Sequence, residues 1–465
     1  MFLTVLLLVT VLAYLYIRHR YSYWSKREIS GPKPSVFTLG NAGQIARESP
    51  LEIERRLAAQ FGPVYGNFNF LEPVLTVADA RLLRLILIKD FNHFINRRAV
   101  TSYHIAINNG LLFAEGTTWK RLRAAASPNF TSGRLRRAVP VINNLLDKLD
   151  EYFEQAVKEK GGLIADSRDP FIGFAIETIA NTSFATETGD SSGLGGARSV
   201  NPFVTYGLQL PEVSPLRAVA YFTLPAWVNA LIAVDHPFNA VATDWYMKAI
   251  LEIIRRTKEE RNAEGNKSSA AHNKNLVQLL VEASVAESKA TDESKSSATE
   301  LEQLTASMER EFDDENNNSG KTSTKFATKT SKLTDEEVVG VAMNIFAAGF
   351  HTIAVALTGV VFELAWAPPI QERLVEELKE KLESLDPHSD EYYQVLMATE
   401  NGCPLLDAVI KETNRKYPAL ARLERRLVSD SYTLPLENGK RLELKKGQLI
   451  EIPTVAVHYN SGKIV

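Results

Sequence analysis

The chain has 465 residues, of which 45% are hydrophobic, so it is long enough to bury a large core. Positive and negative side chains nearly balance, with 53 Lys+Arg against 56 Asp+Glu, which gives no electrostatic indication of nucleic-acid binding. The single cysteine, Cys403, excludes an intrachain disulfide, and no Cys/His spacing typical of a metal site occurs.

The chain begins with an uncharged apolar segment at residues 2–17, and basic residues 18–20 follow it directly. Its length is near the lower limit of the about 17–25 residues that span a bilayer. The basic flank lies only on the C-terminal side, and aromatic residues such as Trp24 stand where a membrane interface would place them. We therefore expect residues 1–20 to be an uncleaved membrane anchor with the remaining chain in the cytosol. A cleaved signal peptide is the alternative, but it normally has a basic start and small residues at its cleavage site.

A basic, proline-containing segment at residues 21–34 follows the anchor and predicts a stiff hinge. The next patterns predict a small α+β region, with a helix at 50–62, strands at 64–70 and 73–79, and a helix at 80–90. From about residue 118 onward the apolar periodicity is mostly helical.

Two further stretches have unusual compositions. Residues 202–240 are rich in Phe, Trp, Leu and Pro, which indicates either core helices broken by prolines or a region that faces a membrane or admits substrate. Residues 285–332 have few large apolar side chains and many Ser, Thr, Asn and charged ones, which predicts a long disordered insertion.

A long helix is predicted from Asp335 to about Ala367, where two prolines end it. Thr334 and Glu337 have the spacing of a capping box at its start. The helix is apolar on nearly all sides, so we expect it to be buried and central.

Two short patterns on predicted helices could carry chemistry. Trp119 and Arg123 are four residues apart on one helix face, where an indole N–H and a guanidinium can bind one anion; a plain amphipathic helix with a basic side is the alternative. Gly349 and Thr352 lie in the long helix and could approach a flat or bulky ligand. Close helix packing, with the threonine bonded back to its own helix, is the alternative there.

A third pattern, ETNRKYPALARLER at 412–425, places Glu412 and Arg415 one helical turn apart. Such a pair is most often solvated, where it contributes only about 0.3–0.5 kcal/mol. If it were buried, the pair could join a network that holds the chain after Pro418 in place.

This third pattern is the last of five motifs, and the order of all five resembles the cytochrome P450 family of haem-thiolate monooxygenases. The four earlier motifs are LTVAD at 75–79, LIKDFNHFINR at 87–97, WKRLR at 119–123 and AGFHT at 348–352. The likeness is greatest to the branch that contains the 3A subfamily and thromboxane synthase, and it extends from the anchor to about residue 458. It implies a mainly α fold with a small β-rich lobe, in one domain at 35–465.

The resemblance implies a set of site residues. Trp119, Arg123 and Arg425 would bind haem propionates through charge-assisted hydrogen bonds. Glu412 and Arg415 would form a buried structural pair that supports the haem-side core.

On the distal side of the haem, the resemblance implies that Ala348, Gly349 and Thr352 line the oxygen site and that the Thr352 hydroxyl helps to deliver protons. His351 stands where the family has an acidic residue, and a histidine is often neutral near neutral pH. Ile353 replaces a second threonine common in this branch.

The resemblance also implies an activity: monooxygenation of a small lipophilic substrate, with haem, O2 and electrons from an NADPH-dependent reductase. The protein would be anchored in the endoplasmic reticulum membrane. The segments 98–118 and 202–240 would shape the substrate pocket.

One family motif, the haem-binding loop F-x-x-G-x-x-x-C-x-G, is absent from these 465 residues. Cys403 precedes the helix with Glu412 and has no F-x-x-G before it, so we interpret it as a structural thiol. The thiolate donates the electron density for O–O cleavage. We therefore expect no haem-thiolate spectrum and no turnover from this chain, and we expect apolar surface to be uncovered.

Three other functions stay open from the sequence. The chain could be a catalytically inactive, membrane-bound binding or regulatory protein. It could be related to haem-dependent isomerases, which need no reductase but do need the thiolate. A secreted helical carrier would require signal cleavage near residue 20, and only the glycosylation triplets at Asn129, Asn181 and Asn266 support it.

Overall fold

The computed structural model describes residues 2–37, 40–41, 43, 49–98, 102, 104–160, 166–184, 202–210, 212–214, 216–217, 220–221, 226–264, 275–285, 332–398 and 402–459. Nearly all of the insertion predicted at 285–332 lies outside these residues. The described chain is mainly helical with two small sheets, which confirms the predicted fold class. It divides into two compact units, Met1–Ala99 with Pro418–Val465 (unit 1) and Val100–Tyr417 (unit 2). The single domain at 35–465 stays a prediction.

Unit 1 contains all the described strands. Its elements are α1 (Phe2–Tyr21), α2 (Pro50–Phe61), β1 (Val64–Asn69), β2 (Glu72–Val77), α3 (Ala80–Arg84), β3 (Arg422–Arg426), β4 (Ser431–Pro435), β5 (Arg441–Lys445), β6 (Leu449–Pro453) and α16 (Thr454–His458). The helix–strand–strand–helix order predicted for residues 50–90 is confirmed, and a π-helical turn, Leu85–Lys89, continues α3.

The main sheet of unit 1 has the order β1-β2-β6-β3. Strands β1 and β2 form an antiparallel hairpin in which Val64 pairs with Val77. Strand β6 runs parallel to β2 and antiparallel to β3, so it joins the two ends of the sequence in one sheet. Strands β4 and β5 form a separate two-stranded sheet.

Trp24 follows α1 and packs onto β1. Its ring is only 3% exposed, and its indole N–H donates to the carbonyl of Asn67 at 2.9 Å. A Cβ at Gly66 would lie 2.3 Å from the ring, so glycine is required beneath it. The expectation that Trp24 lies at a membrane interface is therefore wrong, because the sheet of unit 1 buries this ring. The hinge at 21–34 stays a prediction.

Unit 2 is helical. Its elements are α4 (Ile105–Asn108), α5 (Gly116–Ala126), α6 (Ser132–Lys160), α7 (Asp169–Phe184), α8 (Pro202–Gln209), α9 (Ala226–Leu231), α10 (Ala240–Glu264), α11 (Leu276–Val285), α12 (Asp335–Trp366), α13 (Pro368–Leu382), α14 (Asp390–Met397) and α15 (Pro404–Lys416).

Helix α12 is the long helix that the sequence predicts, and its capping box is confirmed. The Glu337 backbone N–H donates to the Thr334 hydroxyl at 3.2 Å, and the Thr334 N–H donates to the Glu337 carboxylate at 2.9 Å. Its first half is buried against α4, α7, α10 and α11, with Phe346 and Phe350 at most 1% exposed.

The second half of α12 differs from the prediction. Val361, Phe362 and Trp366 are 51%, 51% and 76% exposed. Helix α15 covers only one side there, at Gly359, where the methyl group of Thr413 would be 2.9 Å from an added Cβ. The expectation of burial on nearly all sides is therefore wrong for this half, whereas the expectation of uncovered apolar surface agrees with these exposures.

The apolar stretch at 202–240 has two parts in the residues that the structure describes. Val204 in α8 and Leu210 just after it are buried, as expected for a core helix. Exposed apolar side chains occur in the part that follows, at Val213, Leu216, Leu231 and Ile232.

Candidate functional site

In unit 1, the strand β3 places Arg425 in a half-buried position. Its Nη1 donates to the backbone carbonyl of Glu424 at 2.8 Å, and its guanidinium lies 5.6 Å from the centre of the Phe91 ring. The Nε atom is buried and has no hydrogen-bond partner. Burial, and then the positive charge of Arg97, lower the pKa of Arg425 to about 10.

Among the described residues, no carboxylate forms an ion pair with Arg425. A buried cation without a counter-ion is unfavourable, and a carboxylate that reaches it would remove the penalty. The cluster of Arg97 and Arg425 therefore fits the propionate groups of haem, as the resemblance implies for Arg425.

The neighbouring arginines are paired differently. Arg98 binds Glu424, Glu72 and Glu451, with nitrogen–oxygen distances of 2.9 Å, 3.2 Å and 3.0 Å. Arg426 binds Glu72 at 3.0 Å. These cations have protein counter-ions, so Arg98 and Arg426 stabilise the sheet and are not available to a ligand in the way that Arg425 is.

In unit 2, α5 carries Trp119, which is half-buried, and Arg123, which is exposed. The predicted helix is confirmed. Arg121, which lies between these two residues, has a role that the sequence did not indicate. Arg121 forms a bidentate pair with Glu337, one arm of which is 2.7 Å long, so α5 is bound to the start of α12. Trp119 and Arg123 lie in a different unit from Arg425, and their role at the propionates stays a prediction.

On α12, the Thr352 hydroxyl donates to the carbonyl of Ala348 at 2.7 Å. This is the alternative that the sequence left open, a threonine bonded back to its own helix. Ala348 is exposed and Thr352 half-buried, so both lie one turn apart on an accessible face.

Gly349 packs against α7. An added Cβ would lie 2.5 Å from the Cδ1 methyl of Ile179, so the geometry favours close helix packing as the reason for this glycine. His351 is half-buried, and burial together with the positive charge of Arg168 lowers the pKa of its imidazole. His351 is therefore neutral at physiological pH. The side chain of Ile353, beside Thr352, is 42% exposed.

The Glu412–Arg415 pair forms on α15 with two hydrogen bonds of 2.7 Å. The expectation that this pair is buried is wrong, because the Glu412 side chain is 57% exposed. A second acid, Glu363 on α12, binds the next residues of α15 and accepts from the Tyr417 hydroxyl at 2.6 Å and from Lys416 at 2.5 Å. That contact joins α15 to α12, and no spacing in the sequence indicated it.

Cys403 lies at the start of α15 and is 3% exposed. Burial, and then the negative charge of Glu377, raise the pKa of its thiol. The same Glu377 carboxylate accepts from the backbone N–H groups of Leu405 and Leu406 at 2.8 Å and 3.1 Å. The thiol is therefore held protonated beside a helix cap, which does not fit a thiolate ligand of haem iron and agrees with its interpretation as structural.

Sequence reasoning identified Arg425 but missed Arg97 beside it. The motif LIKDFNHFINR ends at Arg97, but its sequence does not show that Arg97 adds positive charge next to Arg425 while Arg98 is bound by three carboxylates.

A family model described as "Cytochrome P450" matches residues 30–310 and 301–462 of the chain. Among curated proteins, the chain is similar to cytochrome P450 3A9 of Rattus norvegicus, with 26% identity over 453 residues that cover 96% of this chain and 76% of the relative. Cytochrome P450 3A13 of Mus musculus is 27% identical over 458 residues, with coverage of 96% and 76%. A probable cytochrome P450 6a13 of Drosophila melanogaster is 27% identical over 467 residues, with coverage of 98% and 80%.

Proposed function

Since this chain belongs to the cytochrome P450 family, we propose that it descends from, and shares the site of, a haem-dependent monooxygenase that oxidises small lipophilic molecules. Electrons would come from an NADPH-dependent cytochrome P450 reductase. Helix α1 would anchor the protein in the endoplasmic reticulum membrane, with both units in the cytosol. The apolar composition of α1 and the basic residues at its end support that anchoring.

The observation that carries the proposal is the partly buried guanidinium of Arg425, which has no carboxylate partner among the described residues and stands beside Arg97. A haem propionate supplies the missing negative charge at this position. Trp119 and Arg123 would donate to the same kind of group from α5. When bound, haem supplies an iron centre that activates O2.

The proposed roles of the α12 residues concern protons. Thr352 would release the carbonyl of Ala348 and donate its hydroxyl hydrogen toward the haem side. His351 is neutral because burial and Arg168 lower its pKa, so its imidazole can accept one proton and donate another. Ala348 would leave room on the same face.

Cys403 does not fit the iron ligand, because its thiol is buried at the start of α15 and its raised pKa keeps it protonated. It is the only cysteine in these 465 residues. These 465 residues therefore supply no thiolate for the haem iron, and we expect them to bind haem through the cationic residues without thiolate ligation.

A second candidate function follows from the same residues. A catalytically inactive, membrane-bound binding or regulatory protein would keep the cationic cluster, and it would tolerate a Thr352 hydroxyl that is bonded to its own helix. An isomerase that uses haem needs the same thiolate, so the structure gives it no separate support.

The test is a haem titration of the full chain in lipid nanodiscs, followed by the difference spectrum of the reduced, carbon monoxide-bound form. We expect saturable haem binding, no Soret band at the thiolate position and no NADPH consumption when the reductase is added. Arg425→Met should weaken haem binding at least tenfold, since it removes a buried charge-assisted contact.

The matched control is Arg441→Met, which replaces an exposed arginine of β5 in the same unit and should leave haem affinity unchanged. A thiolate Soret band would overturn the assignment of Cys403. Equal haem affinity in the Arg425→Met variant and the unaltered chain would overturn the assignment of the cationic cluster. If a lipophilic ligand raises the melting temperature of the unaltered chain with no haem present, the binding or regulatory alternative gains support.

A further inference from the structure

The first half of α12 carries one polar side chain that the proposed chemistry does not use. Asn344 is the only amide, hydroxyl or charged side chain between Val338 and Phe350. The nearby Met343 and Phe346 are 3% and 0% exposed, whereas Asn344 is half-buried. A carboxamide on an apolar helix is unfavourable unless it is hydrogen-bonded, so its partners indicate what it does.

The carboxamide of Asn344 binds the chain that follows α4. The backbone N–H of Leu112 donates to Asn344 Oδ1 at 2.7 Å. A Cβ at Gly110 would lie 2.7 Å from the same oxygen and 2.8 Å from Nδ2, so glycine is required where the carboxamide lies against the chain. The N–H groups of Phe113 and Ala114 donate to the carbonyl of Gly110 at 3.2 Å and 3.0 Å, which forms a turn at this contact.

The same segment packs against α12 one helical turn earlier. A Cβ at Gly340 would lie 2.4 Å from the backbone carbonyl of Asn109, which leaves room for glycine only. Residues 109–112 are thus held on two successive turns of α12, by close packing at Gly340 and by the hydrogen bond at Asn344. They lie within the segment 98–118, which the family resemblance assigns to the substrate pocket.

The hydrogen bond also fixes which way the carboxamide is turned. Because Oδ1 accepts from the Leu112 N–H, the NH2 group of Asn344 lies on the other side of the carboxamide. No residue that the structure describes accepts a hydrogen bond from this NH2 group. Asn344, Ala348 and Thr352 follow each other at intervals of four residues, so they share one face of α12. Asn344 therefore lies one turn from Ala348, whose side chain is exposed.

We propose that Asn344 determines which ligands this face of α12 accepts, because its Oδ1 holds the segment 109–112 in place while its NH2 group donates to an oxygen atom of the ligand. The inference rests on the proposed function, since it takes the face with Ala348 and Thr352 as the ligand side.

The ligand class follows from the groups on this face. Ala348 offers only apolar contact, so the ligand is lipophilic at that point. A ligand that displaces water from the NH2 group of Asn344 without replacing the hydrogen bond would lose affinity. The structure therefore favours a lipophilic molecule with a carbonyl or ether oxygen over a pure hydrocarbon of the same shape.

Ligand binding to the full chain in lipid nanodiscs tests this preference. Cyclododecanone and cyclododecane share one ring skeleton and differ only in the carbonyl group. Their dissociation constants follow from the rise in melting temperature with ligand concentration, after correction for partition into empty nanodiscs. The ketone should bind about three- to tenfold more tightly, which is the effect of one net hydrogen bond.

Two variants separate the two ends of the carboxamide. Asn344→Asp keeps an oxygen acceptor for the Leu112 N–H but has no NH2 group, so it should lose the preference for the ketone and retain the slow hydrogen exchange of the Leu112 amide. Asn344→Leu removes both groups, so the lost preference should come with faster exchange of that amide. A purely structural role would change the exchange and leave the affinity ratio unchanged.

Asn144→Asp is the matched control, because Asn144 is an exposed asparagine of α6, and this variant should keep the preference for the ketone. Equal affinity for the two ligands in the unaltered chain, or no saturable binding of either, would overturn the proposal. An unchanged preference in a folded Asn344 variant would also overturn it.

Haem titration of the same samples tests the proposed function separately. If haem binding saturates and the ketone preference is absent, the role of Asn344 is wrong and the haem site stands. If haem does not bind and the ketone preference still depends on Asn344, the haem site is wrong and the role of Asn344 stands.

Discussion

Arg422 and Arg425 lie three residues apart on β3 and have opposite surroundings. Arg422 binds the buried carboxylate of Glu54, and its Nη1 lies 3.3 Å from Glu451. The side chains of these two acids are 0% and 2% exposed. Glu54 depends on Arg422 for its charge balance, whereas Glu451 also binds Arg98. Arg425 has no such partner among the described residues, which is why we assign it to a ligand.

This contrast predicts different effects on stability. Arg422→Met leaves the Glu54 carboxylate buried without its cation, whereas Glu451 keeps its contact with Arg98, so the variant should lower the free energy of unfolding by about 3–5 kcal/mol at pH 7. Arg425→Met removes a cation without a counter-ion and should leave the stability of the haem-free chain unchanged or slightly higher. Urea unfolding followed by circular dichroism measures both.

The Arg422→Met defect should depend on pH. Burial already raises the pKa of Glu54, although Arg422 opposes this. A carboxyl group whose pKa is raised in the folded state contributes most below its unfolded pKa and becomes unfavourable as the pH rises through the folded value. The deficit of Arg422→Met should therefore shrink as the pH falls toward 4.5. A deficit that is constant from pH 7 to pH 4.5 would contradict this account.

At the residue scale, the sequence predicted which residue types matter better than it predicted their partners. Thr352 and Glu412 lie on the helices that the motifs predict. The Thr352 hydroxyl, however, is hydrogen-bonded within its own helix, and the Glu412 carboxylate is exposed. Partner choice depends on contacts between distant segments, such as Arg98 with Glu451, and no local spacing encodes them.

At the scale of elements, α12 shows what local patterns can predict. Its start was correct because Thr334 and Glu337 satisfy each other within one turn. The prediction that α12 is buried was correct only for its first half, because burial depends on which helices pack along it. An apolar composition predicts that a helix can be buried, but it does not predict which half of the helix other elements cover.

Two glycines of α12 give a matched test of that packing. A Cβ at Gly340 would lie 2.4 Å from the backbone carbonyl of Asn109 at the end of α4, and backbone cannot move aside easily. Gly340→Ala should therefore lower the free energy of unfolding by about 1–3 kcal/mol.

Gly349→Ala is the comparison, because its Cβ would meet only the flexible tip of Ile179. Alanine is about 1 kcal/mol more favourable than glycine in a helix, and this gain should offset most of the destabilisation caused by the contact with Ile179. Chemical denaturation of both variants should rank Gly340→Ala as clearly less stable. Equal stabilities would contradict the placement of α4 against α12.

At the scale of the whole molecule, the sequence predicted the mainly helical class and the small β-rich part correctly, because periodicities of 3.6 and 2 are local. The pairing of β6 with β2 was not predictable in this way, since those strands are joined by hydrogen bonds across most of the chain. The division into two units follows from such pairings.

The proposed membrane anchor is the whole-molecule feature that a variant can test directly. Leu8 and Leu12 lie in the middle of α1, and both are exposed. Arginine at the centre of a spanning helix costs about 2.5–3.5 kcal/mol per residue. The double variant Leu8→Arg/Leu12→Arg should therefore shift the protein from the membrane pellet to the supernatant in alkaline extraction of microsomes. Leu8→Ala/Leu12→Ala is the control and should stay in the pellet, and retention of the arginine variant would exclude α1 as a spanning segment.

The contacts at the end of α1 have a mechanical consequence. Arg20 donates to the carbonyl of Leu71 at 3.1 Å, the ring of Tyr21 lies 5.2 Å from that of Phe68, and Trp24 is inserted over β1. Helix α1 is thus joined to the β1–β2 hairpin without a flexible linker, since the three residues from Tyr21 to Trp24 span at most about 11 Å. A spanning helix tilts to match bilayers of different thickness. In this protein that tilt would turn the sheet of unit 1 with it, so lipid composition would set the angle at which the sheet meets the membrane surface.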